Sequence, residues 1–357
     1  MDLKSGERAL RVLFVSDTHL GFDLPTRPRV DRVRRGPDFF VNFSRALAPA
    51  RCGEADVVVH GGDLLYRSRV PASLVARALQ PLLAVAEAGV PVLLVAGNHE
   101  RSAIPYPLLA SHPNLHLVDR PRTVVVHRAG LRVAFAGFSY ARGVRQAFPA
   151  LLAATGYRDV AADARVLCFH QCVEGATCGP PPGHTFRDAD DVVRGRDLPA
   201  DVAVVLSGHI HRPQVLRRDL SGRPLPAPVV YAGSVERTSF AERDEPKGFV
   251  IATVGPGGAG GRLLAGAFRR LPARPMRVHE LTARVPIEEE LRSVIAALPP
   301  RALLQLRVPA ALAGTEATSA ARLRALCPPD VHAEVVRFEP RAPTLRQSTF
   351  DGPGRVV

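Results

Sequence analysis

The fold of this 357-residue chain is decided by the stretch Arg11-Val-Leu-Phe-Val-Ser-Asp-Thr-His19, in which an apolar run ends in an aspartate and a histidine. The run is short, rich in valine and without alternation, which is typical of a strand covered on both faces. The polar residues that follow such runs along the chain are Asp17, His19, Asp63, Asn98, His170, His209 and His211. Because an α/β sheet collects the carboxyl ends of its parallel strands at one edge, this placement predicts a single shared site.

Apolar runs alternate with helical or loop segments over the first two-thirds of the chain, which predicts a layered α/β domain. The predicted strands cover residues 10–16, 56–60, 90–96, 132–138, 165–169 and 202–207. Apolar residues at helical spacing predict a helix over 71–88. Two later runs, 248–254 and 262–268, flank a glycine-rich turn and predict a β-hairpin.

The pattern changes after the proline-punctuated segment Leu271-Pro-Ala-Arg-Pro275. The following periodicity predicts the order β-α-β-α-β, with strands over 276–281, 303–308 and 331–338 and helices over 287–298 and 319–326. About 65 residues of this kind suffice for a small appended domain. We therefore predict a main domain over 1–272, a small α+β domain over 273–340 and a polar, disordered tail over 341–357.

The net charge of +13 predicts a polyanionic partner, because arginine and lysine pair with phosphates and release their counterions. Lysine occurs only at Lys4 and Lys247, so nearly all the positive charge is arginine. A GC-rich genome explains arginine in place of lysine, but it does not explain the excess of basic over acidic residues. Nucleic acid therefore remains the expected partner.

The chain begins with a charged segment and contains no apolar run of the roughly 20 residues that a membrane helix needs. We therefore expect a cytoplasmic protein with no membrane partner. Three cysteines cluster at Cys168, Cys172 and Cys178. Their spacing lacks the paired CxxC pattern of a zinc site, which favours reduced, partly buried thiols.

The polar residues at the strand ends lie in five short motifs. The motifs are Asp17-Thr-His19, Gly61-Gly-Asp63, Gly97-Asn-His-Glu100, His170 and Gly208-His-Ile-His211. The two glycines before Asp63 let the backbone turn tightly and approach a ligand. Carboxylate, amide and imidazole groups together suit hard to borderline divalent cations.

In this order the motifs resemble those of the calcineurin-like metallophosphoesterases. The resemblance implies a four-layer α-β-β-α sandwich that binds two divalent ions, with manganese favoured and iron or zinc tolerated. By this resemblance one ion would take Asp17, His19, Asp63 and His211. The other ion would take Asp63, Asn98, His170 and His209, so that Asp63 bridges the pair.

Four softer segments resemble the SbcD-type DNA-repair nucleases, namely Asp17-Thr-His-Leu-Gly21, Gly62-Asp-Leu-Leu65, His170-Gln-Cys-Val-Glu-Gly175 and Tyr231-Ala-Gly-Ser-Val-Glu-Arg-Thr-Ser-Phe240. This branch implies a two-metal DNA exonuclease, with endonuclease activity as a second expectation, and a small domain that caps duplex DNA. It also implies a homodimer and an SbcC-type coiled-coil ATPase partner. No docking segment for that ATPase is recognised over 341–357, which argues against the partnership.

The resemblance gives His99 a role in stabilising charge or donating a proton to the leaving sugar oxygen; a purely structural histidine is the alternative. Glu100 is expected to orient its neighbours rather than to bind metal. Arg67 and Arg69 follow Asp63 closely and are candidates for contacts with DNA phosphates. Hydrolysis of nucleotides or another small phosphodiester is the alternative function. A non-catalytic scaffold is disfavoured because every expected ligand and His99 are present.

Overall fold

The computed structural model describes residues 8–24, 34–100, 112–282, 284–328 and 330–339. The tail predicted over 341–357 lies outside these residues. The chain forms two compact units, Met1–Ala273 and Arg274–Val357. The boundary falls within the proline-punctuated segment that marks the change of pattern in the sequence.

The elements of the described residues follow in chain order. The helices are α1 (Gly36–Arg51), α2 (Ala72–Glu87), α3 (Val144–Ala154), α4 (Ile287–Ala296) and α5 (Ala320–Ala325). The strands are β1 (Leu10–Val15), β2 (Val57–His60), β3 (Val92–Val95), β4 (Leu115–Val118), β5 (Arg122–Arg128), β6 (Leu131–Gly137), β7 (Ala164–Phe169), β8 (Cys172–Val173), β9 (Thr177–Cys178), β10 (His184–Thr185), β11 (Val192–Val193), β12 (Val204–Ser207), β13 (Gln214–Arg218), β14 (Pro224–Tyr231), β15 (Lys247–Gly255), β16 (Arg262–Leu271), β17 (Met276–Glu280), β18 (Leu303–Pro309) and β19 (His332–Phe338).

The larger unit contains two six-stranded sheets. The first has the order β16-β15-β1-β2-β3-β4, in which β1 to β4 are parallel and the predicted hairpin β15–β16 joins through an antiparallel pairing of β15 with β1. The second has the order β13-β14-β12-β7-β6-β5, in which β6, β7, β12 and β14 are parallel. Each sheet therefore brings the carboxyl ends of several parallel strands to one edge.

Successive side chains of β1 point to opposite faces of the first sheet and enter different cores. Val12 and Phe14 pack with the second sheet, whereas Leu13 and Val15 pack with α1 and α2. A third core covers the far face of the second sheet and includes Phe148 of α3. The predicted α-β-β-α arrangement of four layers is confirmed by these three cores.

Helices α1 and α2 cover the first sheet with apolar residues at helical spacing. In α1 the buried face includes Phe39, Phe43 and Leu47, and in α2 it includes Leu79 and Leu82. The helix predicted over 71–88 is confirmed as α2, whereas α1 was not predicted from the sequence. The described residues contain no helix that is long and apolar enough to cross a membrane.

The smaller unit has the order β-α-β-α-β that the sequence predicts. Its strands β17, β18 and β19 are all parallel and form one three-stranded sheet. The hydroxyl of Ser319 accepts a hydrogen bond from the backbone N–H of Arg322 at 3.2 Å and caps α5. The buried core of the unit is formed by Leu281, Leu291, Leu304, Leu306, Val308 and Leu323.

We predict that Phe14→Ala lowers the free energy of unfolding of the larger unit by about 3–5 kcal/mol. The phenyl ring is fully buried between the two sheets, and its loss leaves a cavity that the strands cannot close. Val41→Ala is the matched control, because Val41 is 48% exposed on α1. Urea unfolding followed by circular dichroism measures both variants, and an equal effect of the two would contradict the inter-sheet core.

Candidate metal centre

All seven polar residues predicted from the strand ends lie together in the structure. Strands β1, β2 and β3 of the first sheet and β7 and β12 of the second sheet end beside one another. Each strand leads directly into a short loop that carries one or two of these residues. The residues brought together are Asp17, His19, Asp63, Asn98, His170, His209 and His211.

A first cluster consists of Asp17, His19 and His211, whose ligand atoms all lie within 4.8 Å of one another. The Nε2 atoms of His19 and His211 are 2.9 Å apart. Asp17 Oδ1 accepts a hydrogen bond from the backbone N–H of His209 at 3.0 Å, but its Oδ2 is buried and has no partner among the described residues. Because a buried carboxylate oxygen needs a partner, this cluster fits a bound cation.

A second cluster consists of Asp63, His170 and His209, again with ligand atoms within 4.8 Å. The amide oxygen of Asn98 joins it, at 3.1 Å from His170 Nε2 and 3.0 Å from His209 Nδ1. Asp63 also belongs to a group with His19 and His99. Asp63 therefore lies between the two clusters, where a bridging carboxylate is expected.

The backbone at these loops adopts the left-handed region at four residues other than glycine. The φ angles are 52° at Asp17, 43° at His19, 52° at Asp63 and 80° at His209. Such angles are uncommon for residues with a Cβ atom and cluster at functional sites. This conformation therefore occurs at four of the seven predicted ligands, in the loops that follow β1, β2 and β12.

Three histidines are oriented by an acceptor at Nδ1. His170 Nδ1 lies 2.7 Å from the carbonyl of Gly61, and His99 Nδ1 lies 3.1 Å from the carbonyl of Leu65. His211 Nδ1 lies 3.0 Å from Glu242 Oε1. Because carbonyl and carboxylate oxygens only accept, Nδ1 carries the proton and Nε2 of the neutral ring presents its lone pair.

Burial and neighbouring charge set the protonation of the centre. Although burial opposes ionisation, the charge of His170 holds the pKa of Asp63 well below its usual range. Burial favours a neutral His170, but the charge of Asp63 outweighs it and raises the pKa of that ring to about 9. Burial and the charge of His170 lower the pKa of His209 to about 4. A cation bound here would therefore displace a proton from His170, whereas His209 would already be neutral.

His99 and Glu100 follow Asn98 in a short 3₁₀ turn. The side chain of His99 is 31% exposed, and its Nε2 lies 3.8 Å from Asp63 Oδ2. The carboxylate of Glu100 is buried and accepts hydrogen bonds from the backbone N–H groups of Asp63, Leu65 and Gly97 at 2.8–3.0 Å. Burial raises the pKa of Glu100 to about 8. Glu100 therefore joins the loops after β2 and β3, in line with the orienting role expected from the sequence.

Other predicted residues lie outside the two clusters. Arg67 and Arg69 are exposed on the loop that follows Asp63, and the Arg67 guanidinium lies 4.7 Å from the ring centre of Tyr66. Cys168 and Cys172 are buried, and burial raises the pKa of Cys172 to about 12. Among the described residues, no group of potential metal ligands includes a cysteine.

The structure adds residues that the sequence did not indicate. The ring centre of Tyr140 lies 5.6 Å from that of His209, so Tyr140 forms part of the wall of the second cluster. Tyr140 follows the carboxyl end of β6, and the strand-end rule applied to that strand would have found it. Glu242 and Lys247 contact His211 from a segment that no ligand motif marks.

The fold and the two adjoining ligand clusters are those of a metal-dependent phosphoesterase with ligands for two divalent ions. The family model of calcineurin-like phosphoesterases matches residues 10–213, and the chain belongs to that family. The chain is similar to proteins named DNA double-strand break repair protein Mre11. It is 29% identical to that of Methanopyrus kandleri, covering 67% of this chain and 51% of the relative. It is 31% identical to that of Haloferax volcanii, covering 69% of this chain and 50% of the relative.

The chain is also similar to a subunit of the nuclease SbcCD of Bacillus subtilis, with 26% identity covering 70% of this chain and 67% of the relative. It spans about half the length of the two archaeal relatives. A dimetal phosphatase from Danio rerio aligns in structure with a TM-score of 0.41 and 14% identity, covering 71% of this chain and 98% of that one.

We predict that Gly97→Ala weakens metal binding and destabilises the larger unit by about 1–3 kcal/mol. A methyl group there would approach Asp63 Oδ1 within 2.3 Å and the Asp63 nitrogen within 2.4 Å, so the loop carrying Asp63 must move. Gly266→Ala in β16 is the control, because a methyl group there meets no described atom within 4 Å. Calorimetric titration with Mn²⁺ compares the two, and wild-type affinity in Gly97→Ala would contradict the tight packing.

Proposed function

We propose that this protein hydrolyses phosphodiester bonds of DNA with two divalent metal ions, as an exonuclease with additional endonuclease activity, in DNA repair. The observation that carries the proposal is the pair of adjoining ligand clusters with Asp63 between them. The names of the relatives, which refer to double-strand break repair and to a nuclease, support DNA as the substrate.

In this proposal one ion is held by Asp17, His19, Asp63 and His211, and the other by Asp63, Asn98, His170 and His209. The nitrogen and oxygen ligands suit Mn²⁺ and also accommodate Fe²⁺ or Zn²⁺. When bound, two such ions stabilise the charge that develops on the phosphoryl group and lower the pKa of water. The chain orients two of these rings in advance, because the acceptors at Nδ1 of His170 and His211 fix the direction of each Nε2.

His99 is proposed as the catalytic acid. Its Nδ1 is engaged by the Leu65 carbonyl, so only Nε2 is left to exchange a proton with substrate. The ring is more exposed than the buried His19 and His170, so a leaving sugar oxygen could approach it from solvent. A proton held at Nε2 would neutralise that oxygen as the phosphorus–oxygen bond breaks.

DNA is favoured over a small phosphodiester by charge. The chain carries a net charge of +13, and the exposed side chains of Arg67 and Arg69 follow Asp63 on its loop. Such arginines can pair with phosphates on either side of the bond that is cut. We propose that residues 1–272 form the nuclease domain and that 273–340 form a domain that caps DNA. A cytoplasmic location and a homodimer belong to the same proposal.

Digestion of end-labelled linear duplex DNA tests the substrate. We expect Mn²⁺-dependent shortening of the duplex that a chelator abolishes, because both ligand clusters require a cation. The comparison substrate is bis-(p-nitrophenyl) phosphate, and hydrolysis of that compound alone would replace DNA by a small phosphodiester. A parallel reaction with an SbcC-type ATPase asks whether such a partner changes the rate.

We predict that His99→Ala lowers the rate of DNA hydrolysis by about 10²–10⁴-fold while both ions still bind, because the variant removes the proton donor only. His127→Ala is the control, since His127 is exposed on β5. Single-turnover rates and calorimetric Mn²⁺ titration measure the two effects separately. Loss of one ion in His99→Ala would make His99 a ligand, and full activity would remove its catalytic role.

A further inference from the structure

One side of the metal centre is backed by a buried network of charges. The network lies between His211 and the start of β15 and includes Glu242, in a short 3₁₀ turn, and Lys247, the first residue of β15. The side chain of Lys247 is fully buried, and that of Glu242 is 11% exposed. Because an unpaired buried charge is strongly destabilising, the geometry of each pair in this network matters.

The carboxylate of Glu242 is surrounded by donors. Its Oε1 lies 3.0 Å from His211 Nδ1 and 2.6 Å from the hydroxyl of Thr238. Its Oε2 lies 2.6 Å from Lys247 Nζ and 3.3 Å from the backbone N–H of Thr238. Each of these neighbours therefore requires Glu242 to accept, and the ring of His211 must carry its proton on Nδ1.

Lys247 contacts both the backbone of His211 and Glu242, the carboxylate that orients the His211 ring. Its ammonium donates to the carbonyl oxygen of His211 at 3.0 Å and to Glu242 at 2.6 Å, and it lies 3.4 Å from Glu245 Oε2. A compact ammonium can direct three protons to three acceptors, whereas a planar guanidinium presents a fixed fork. The need to donate to three acceptors gives a physical reason for a lysine at position 247, although almost every other basic residue of the chain is arginine.

The anchor of His211 differs in kind from the anchors of His170 and His99. The Nδ1 atoms of His170 and His99 face neutral backbone carbonyls, whereas that of His211 faces a carboxylate. A carboxylate partner makes the imidazole a stronger electron donor at Nε2 and fixes the plane of the ring. The Nε2 of His211 points toward Nε2 of His19 in the first cluster.

We propose that Glu242 is a positioning residue that fixes the ring of His211 for the first of the two metal ions, and that Lys247 holds Glu242 and the His211 backbone in register. This inference rests on the proposed two-metal centre. It predicts that the affinity for one ion depends on a carboxylate that binds no metal itself. The second cluster is anchored by other groups and is expected to keep its ion.

Glu242→Gln tests the proposal because it keeps the size of the side chain and replaces one acceptor by a donor. If the new amide N–H group faces His211, the ring must shift its proton to Nε2 and loses the lone pair that a cation needs. If the amide faces Lys247 instead, a buried ammonium meets a donor. In either orientation we expect the affinity for one Mn²⁺ to fall about 10–100-fold, with the other retained.

Glu236→Gln is the matched control. Glu236 is a buried carboxylate on the same segment, and it accepts hydrogen bonds from the backbone N–H of Arg237 and from Asn42 rather than from His211. Calorimetric titration resolves the two binding steps, and electron paramagnetic resonance of the Mn²⁺-loaded protein reports whether a coupled pair forms. We expect the coupled signal in the wild type and in Glu236→Gln, and an uncoupled signal in Glu242→Gln at the same Mn²⁺ concentration.

Melting in the presence of a chelator shows whether each variant folds without metal. If Glu242→Gln does not fold, Glu242→Asp replaces it, because it keeps a charge beside Lys247 while withdrawing the carboxylate from His211. Binding of two ions by the folded variant as tightly as by Glu236→Gln would overturn the inference. Failure of the wild type to cut DNA, with the loss of one ion still seen in Glu242→Gln, would overturn the proposed function alone.

Discussion

The structure depends on the burial of two carboxylates, together with the rings of His19 and His170, at the edge where two sheets meet. Asp17, Asp63 and His170 are almost fully buried there. Burying an ionised carboxylate without a partner costs several kcal/mol, so the surrounding chain must supply opposing charge or hydrogen bonds. The loops after five strands supply such partners only in part. Oδ2 of Asp17 has no partner among the described residues, and a bound cation would satisfy it.

The sequence predicted most of the fold because its strands are buried on both faces and therefore appear as continuous apolar runs. The strand predicted over 10–16 is β1, and the one predicted over 165–169 lies within β7. Helix α1 was not predicted, although Phe39, Phe43 and Leu47 share one face. Strand β14 begins at Pro224 and pairs with β13, a tertiary interaction that local periodicity does not encode.

The seven residues at the strand ends were also predictable, because each motif is local in sequence and directly follows an apolar run. The strand formed by that run determines where the motif lies. The residues that orient these ligands were not predictable from the sequence. Glu242 lies 31 residues after His211, and the contact exists only because the turn before β15 folds back against the loop after β12. The isolated lysine at 247 was the one available signal, and its meaning depends on a burial that composition cannot reveal.

The left-handed backbone at Asp17, His19, Asp63 and His209 has a consequence for how this protein can evolve. Each such residue costs on the order of 1–3 kcal/mol relative to a relaxed conformation. Glycine would relieve the strain at any of these positions, but it would also remove a side chain that can bind metal. Selection for stability alone would therefore favour glycine at these positions, and persistence of the four residues in a lineage would record continued selection for the chemistry.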